Sequence, residues 1–135
     1  MIAEELALYL CNQGHGVQNV DLFLGFQPET VDDCSTIYDE SSPALDDSQA
    51  LSIDQFGVQV LVRNSSYTLA RDLIMGIHKS LVGFGGIRFT AGGSMISVVF
   101  VDSPPTSIGK DDKGRNEWTA HYRVRVKSEG DLYRN

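Results

Sequence analysis

The chain has 135 residues, a length that suits one domain with a buried core. Hydrophobic residues make up 41% and charged residues 21%, as in ordinary globular proteins, and no apolar run reaches the roughly 18 residues of a membrane span. The net charge of −7 argues against a nucleic-acid binder, which needs a basic surface.

The charge is distributed unevenly along the chain. Residues 1–62 contain 11 acidic residues and no Lys or Arg, whereas residues 63–135 contain 11 basic and 7 acidic residues, so the halves carry −11 and +4. Such asymmetry indicates specific electrostatic pairing. The pairing is either within one monomer or head-to-tail between copies, where the acidic part of one copy meets the basic part of the next.

The cysteines and the N-terminus point to a cytoplasmic protein. Cys11 and Cys34 fit no metal-binding spacing, and we expect two reduced, partly buried thiols. The first ten residues contain two glutamates and no basic residue, which argues against a secretory signal.

The first half of the chain predicts one helix and two strands. Apolar residues recur every four positions over 2–12, which is typical of a helix. Mostly apolar residues predict a strand over 19–26 and a short one over 35–39. Residues 40–54 are polar, acidic and contain a proline, which predicts a long loop.

A strand followed directly by a helix is the clearest unit of the sequence. Residues 56–63 alternate, with three valines pointing one way. A helix follows, capped by Ser65 or Ser66, and its apolar residues recur on one face until the glycines that begin at Gly83.

The second half predicts three further strands. Residues 87–91 and 94–103 form an antiparallel pair joined by a glycine turn, and Pro104-Pro105 is expected to break the sheet. The last strand, 117–128, alternates cleanly between apolar residues that face the core and polar residues that face out.

These elements predict a single α+β domain over residues 1–135, with a loose tail over 128–135. The order is α-β-β-β-α-β-β-β, and we expect a mostly antiparallel sheet packed by one main helix plus the N-terminal helix.

No catalytic, cofactor or metal site is predicted. None of His15, His78 and His121 has a nucleophile or carboxylate at a recognised catalytic spacing. Adjacent aspartates at 32–33, 46–47 and 111–112 match no EF-hand and are typical of solvated loops.

The stretch "SIGKDDKGRNEW" (107–118) contains glycines beside lysines, as phosphate-binding loops do. Gly109-Lys110 is followed by Asp111 rather than Ser or Thr, and the residues after it predict a strand rather than a helix. We therefore interpret the stretch as an interaction loop that leads into a strand. The alternative is an internal pair, such as Asp111 with Arg115, that stabilises the loop.

Three segments together resemble a known family. These are "VQVLVRNSSYTLARDL", with its strand, polar turn and helix; "IYD" (37–39), entering a loop; and "IGKDDKGRNEW", leading into the last strand. Over residues 3–128 the chain resembles the tail terminators, or minor capsid and tail-completion proteins, of long-tailed bacteriophages. Many relatives carry glycine soon after the position of Asp39, where this chain has Glu40-Ser41-Ser42.

The resemblance implies a virion structural protein rather than an enzyme, with no cofactor and no membrane partner. Tail terminators form a ring, usually a hexamer, that caps the tail tube, stops its growth and provides the surface to which the head attaches. The implied partners are further copies of the chain, the tail tube protein and the head–tail connector protein. The implied location is the head-proximal end of the tail. DNA would only pass through the lumen, where acidic residues would repel its phosphates.

Charged residues on the loops and on the last strand are the candidates for these contacts. The residues predicted to meet a neighbouring subunit or the tail-tube ring are Asp39, Glu40, Asp46, Asp47, Asp111, Asp112, Lys113, Arg115, Arg123 and Arg125.

Three other functions stay open on the sequence. A head–tail connector or neck protein would contact the portal side of the same junction. A small-ligand or nucleotide-binding α+β module would need a polar pocket. A metal-dependent hydrolase would use the aspartate pairs and His121.

Overall fold

A computed structural model describes residues 2–40 and 53–127. The elements are α1 (Ile2–Asn12), β1 (Leu22–Leu24), β2 (Cys34–Glu40), β3 (Ile53–Asn64), α2 (Tyr67–Leu81), β4 (Ile87–Arg88), β5 (Met95–Lys110) and β6 (Asn116–Lys127). Their order in the described residues is the predicted one. Most of the predicted loop 40–54, with Asp46 and Asp47, and the predicted loose tail lie outside the described residues.

One sheet of six strands organises the molecule, in the order β1-β2-β3-β6-β5-β4. Only β1 and β2 are parallel, and every other neighbouring pair in the sheet is antiparallel. The long strands β3 and β6 form its centre, in register from Ile53 opposite Lys127 to Asn64 opposite Asn116. The predicted α+β class with a mostly antiparallel sheet is therefore confirmed.

The core lies between the two helices and one face of the sheet. Helix α1 packs on β1 and β2, and α2 packs on β3, β5 and β6. The strands contribute alternate residues, because successive side chains of a strand point to opposite faces. In the two central strands the buried residues of this face are Val58, Val60, Val62, Trp118, Ala120, Tyr122 and Val124. The predicted alternation of the last strand is confirmed.

Helix α2 begins at a serine cap and presents one apolar face. The side chain of Ser66, whose backbone is extended, accepts a hydrogen bond from the Leu69 N–H, which selects Ser66 from the two predicted caps. Ala70, Ile74, Ile77 and Leu81 are buried because their spacing places them on the side that meets the sheet.

The prediction that Pro104-Pro105 breaks the sheet is wrong, since β5 continues through both prolines to Lys110. The short strand β4 pairs only with Met95 and Ile96, so the prolines lie where β5 is the outermost strand of the described sheet. Proline has no N–H to donate, but the outward side of an edge strand needs no donor. Several register shifts between β5 and β6 accommodate the prolines as bulges.

Strands β1 and β4, by contrast, are shorter than predicted. Strand β1 has three residues because the preceding chain turns back on itself, with the Val17 carbonyl accepting from the N–H groups of Val20, Asp21 and Leu22. Strand β4 has two residues, and the chain then turns through a Gly93 N–H that donates to the Thr90 carbonyl.

Candidate assembly surfaces

The turn from Asp111 to Arg115 joins β5 to β6 and is organised by one carboxylate. Asp111 Oδ1 accepts from the N–H groups of Lys113 and Arg115 at 3.0 and 2.9 Å, and Oδ2 accepts from Arg115 Nε at 2.8 Å. Gly114 has a φ of 77°, a conformation that favours glycine. We call these five residues the hairpin tip. The internal pair of Asp111 with Arg115 that the sequence left open is present.

The same contacts explain the ionisation of this pair. Desolvation raises the pKa of Asp111, but the hydrogen bonds from Arg115 and Lys113 outweigh it and hold the pKa of that carboxyl below its usual value. Desolvation likewise lowers the pKa of Arg115, and the Asp111 carboxylate more than offsets this. Both groups are therefore charged at neutral pH, and each stabilises the other.

Two buried arginines hold the connection between β1 and β2 against the end of the sheet. Arg115 donates to the Glu29 carbonyl at 2.8 Å and lies 3.3 Å from Asp32 Oδ1. Arg63 donates to the carbonyls of Pro28 and Val31. We call this arrangement the arginine clamp. The alternation of residues 56–63 predicts that Arg63 points away from the three valines. It does not predict that the connection between β1 and β2 crosses the sheet on that side.

The face of the sheet that points away from the helices carries polar and charged side chains. His121 Nδ1 lies 2.9 Å from Glu40 Oε1, and Arg123 lies 3.2 Å from Asp102 Oδ1. Arg125 donates to Gln55 Oε1 at 3.1 Å and stacks with its guanidinium carbon 4.6 Å from the centre of the Phe100 ring. A shallow cavity of about 270 Å³ lies among these arginines and Phe100. We call this surface the polar sheet face.

The predicted contact residues therefore fall into two groups. Asp111, Asp112, Lys113 and Arg115 share the hairpin tip, where Asp112 and Lys113 are exposed and Arg115 is buried. Glu40, Arg123 and Arg125 share the polar sheet face. Asp39 is exposed near the end of β2, in register with the core residue Val58. Contact of any of these residues with a neighbour stays a prediction.

The acidic and basic halves of the chain pair with each other inside the monomer. Glu29 forms ion pairs with Arg63, Lys113 and Arg115, and the Glu40 carboxylate meets His121 across β3. Pairing within the monomer therefore explains part of the charge asymmetry between the two halves.

The other two histidines anchor α2. His15 Nε2 lies 2.8 Å from Ser80 Oγ, and His78 Nδ1 lies 2.7 Å from the Tyr122 hydroxyl. Burial lowers the pKa of His15 and of His78, and it raises the pKa of the Tyr122 hydroxyl.

Within residues 2–40 and 53–127, no group of three or more His, Cys, Asp or Glu side chains is placed to hold a metal ion. Neither described helix has the length and hydropathy needed to cross a bilayer. Both cysteines are free thiols, with Cys34 buried and Cys11 half-buried.

The same fold occurs in a chain of a solved virion. A chain described as "Virion of native gene transfer agent (GTA) particle" matches with a TM-score of 0.54 and 11% sequence identity, over 90% of this chain and 86% of that chain. A search of curated proteins found no match.

The sequence family defines the class of protein, which is a structural component of a phage virion. The family model described as "Bacteriophage tail terminator protein" matches residues 9–128, and the chain belongs to that family. The resemblance seen in the sequence is therefore confirmed.

Proposed function

We propose that this protein forms a ring on the end of the phage tail tube, stops its growth and provides the surface to which the head attaches. The observation that carries this proposal is the family match over residues 9–128, a span that includes α2 and all six described strands. The ring, expected to be a hexamer, would contact the tail tube protein on one side and the head–tail connector protein on the other. DNA would pass through its lumen without specific binding.

The two charged surfaces are the proposed contact sites. At the hairpin tip, Asp112 and Lys113 project from a turn that is held rigidly by Asp111 and the arginine clamp. On the polar sheet face, Arg123 and Arg125 are half-buried but remain accessible beside the shallow cavity. A rigid loop and a pre-ordered face lose little conformational entropy when they bind a partner.

An early stop codon in this gene tests the proposal, with particles in the lysate examined by negative-stain electron microscopy. We expect overlong tail tubes beside DNA-filled heads that lack tails. The same lysate, supplied with the intact chain from a plasmid, should contain normal virions and serves as the control.

Two other outcomes of this experiment would contradict the proposal in different ways. Tails of normal length that lie unattached would indicate a head–tail connector, because tail growth would then stop without this chain. Intact virions would show that the protein is not needed for tail completion.

A further inference from the structure

Exposed apolar side chains occur along both lateral borders of the sheet. Beside β1 they are Val17, Val20 and Phe26, which are 58–63% exposed. Along β5 they are Phe100, Val101 and Ile108, which are 40–55% exposed. We call these two sets the β1 border and the β5 border. Single exposed apolar residues are common on protein surfaces, so the two sets are of interest because they lie at the two open edges of one sheet.

The strand register shows that parts of the two borders lie at the same level of the sheet. One row of paired residues runs from Leu22 through Ser35, Val62 and Trp118 to Ser107. Val20 precedes this row by two residues, and Ile108 follows Ser107 directly. When two copies stand side by side at the same height, the level marked by this row is shared by the facing borders of the two copies. The β1 border of one copy then reaches the end of β5 that carries Ile108.

The charges beside these residues are complementary. Of the four acidic residues in 17–33, Glu29 and Asp32 already pair with the arginine clamp, whereas Asp21 and Asp33 make no ion pair with a described residue. At the other border, Lys110 is exposed at the end of β5, and its side chain makes no ion pair with any residue in 2–40 or 53–127. A cation that makes no ion pair with a described residue, at the level of two such carboxylates, favours contact between two different surfaces.

The contact must be made by side chains, because the backbone is unsuited to extending the sheet. The outer side of β1 already carries a bridge between Gln18 and Leu22. On the other border, Pro104 and Pro105 remove two N–H groups, and the register shifts interrupt the edge of β5. These features prevent continuous strand pairing between copies and leave the apolar side chains free to pack.

We infer that the β1 border of one copy packs against the β5 border of the next, with Val20 near Ile108 and Lys110 facing the acidic segment 17–33. The contact joins two different surfaces, and repetition of such a contact closes a ring when the rotation between copies divides a full turn. The inference rests on the proposed ring and names the residues that form it.

Cysteine cross-linking on assembled tails tests the contact. Tails are completed in the stop-codon lysate with a chain that carries both Val20→Cys and Ile108→Cys, and a short bifunctional maleimide is added. We expect a ladder of covalent multimers up to the size of the ring. The chains with only one of the two cysteines should stay monomeric, and the parent chain controls for Cys11 and Cys34. A chain with Val20→Cys and Val82→Cys, the latter exposed at the end of α2, should give no ladder.

The outcomes separate this contact from the proposed function. Normal, head-attached tails that give no ladder with the first pair or with Val17→Cys and Ile108→Cys would overturn the contact and leave the proposed function intact. Dimers from either single variant in a chain whose Cys11 and Cys34 are replaced by alanine would overturn it as well, since the new cysteine would then be joined to its own copy across a two-fold contact. Failure of the proposed function is read separately, from tail length and head attachment in the stop-codon lysate.

Discussion

Arg63 and Arg115 are the most buried charged residues in the described part of the chain, with exposed fractions of 2% and 3%. Both donate most of their hydrogen bonds to the short connection between β1 and β2. Arg63 donates to backbone carbonyls, and Arg115 donates to one carbonyl and to the carboxylates of Glu29 and Asp32. Guanidinium groups suit this role because they offer five donors in a fixed plane and do not lose their charge. The clamp therefore fixes an otherwise irregular segment without secondary structure of its own.

Replacing Arg63 with alanine should lower the free energy of unfolding by about 3 kcal/mol. The substitution leaves the carbonyls of Pro28 and Val31 without their donor and opens space beneath them. Urea denaturation measures the effect as a lower midpoint. Arg71→Ala is the matched control, because Arg71 is exposed and, among the described residues, pairs only with its neighbour Asp72. It should change stability by less than about 1 kcal/mol. Equal effects of the two variants would contradict the clamp.

At the scale of elements, most of the secondary structure could be predicted from local patterns. The bounds of α1, the face of α2 and the alternation of β6 follow from periodicity alone, which depends on the residues themselves. The path of β5 through Pro104-Pro105 could not be predicted, because tolerance of proline depends on whether a strand lies at the edge of a sheet. Sheet order depends on distant pairings that no local pattern records.

For the candidate surfaces, too, contacts between residues close in sequence could be predicted and contacts between distant residues could not. Proximity in sequence predicted that Asp111 and Arg115 would share one turn, with an internal pair as one alternative. The pairing of Glu40 with His121 joins residues 81 positions apart, and the crossing of residues 28–31 over Arg63 depends on tertiary structure. Neither of these two contacts corresponds to a residue spacing that sequence analysis could recognise.

Helix α2 is joined to its surroundings through histidines, which makes this packing sensitive to pH. Burial lowers the pKa of His15 and His78 in the folded protein, so the unfolded chain binds more protons below the ordinary histidine pKa of about 6.5. The free energy of unfolding should therefore fall as the pH drops from about 6.5 through the lower folded pKa values.

Thermal unfolding measures this dependence when it is followed from about pH 7.5 to about pH 5, a range that includes the ordinary histidine pKa of about 6.5. A chain with His15→Gln and His78→Gln should lose part of the slope, although its stability at neutral pH will also change because two hydrogen bonds are altered. An unchanged slope in that double variant would show that other groups cause the pH dependence.

At the scale of the whole molecule, the opposed charges of the two halves meet within the monomer but do not cancel everywhere. Glu29 gathers three basic partners from the second half, whereas the exposed tip residue Asp112 makes no ion pair with a described residue. We propose that such exposed charged residues make the contacts with neighbouring proteins. Arg115 is a poor position at which to test them, because reversing a buried charge would disrupt the clamp.

Lys113→Glu is a better test of the hairpin tip. Its pair with Glu29 joins two exposed side chains, and such pairs contribute about 0–1 kcal/mol, so the variant should fold. We expect the plating efficiency of a complemented stop-codon phage to fall at least about tenfold, since a like charge at an interface costs several kcal/mol. Arg71→Glu, on the outer side of α2, is the matched exposed control and should complement fully. Equal complementation by both variants would exclude a contact through Lys113.

The arginine clamp also affects the stage of synthesis at which the protein can fold. Glu29 and its partner Arg115 are 86 positions apart, and the central strand β6 follows Arg115 in the chain. During synthesis, the segment around Glu29 leaves the ribosome long before the side chain that fixes it. Contacts of such large sequence separation form late and slow the folding of a domain. A nascent or truncated chain that stops before Arg115 therefore lacks the central strand β6 and the Arg115 half of the clamp, so that of the two clamp arginines Arg63 alone holds the connection between β1 and β2.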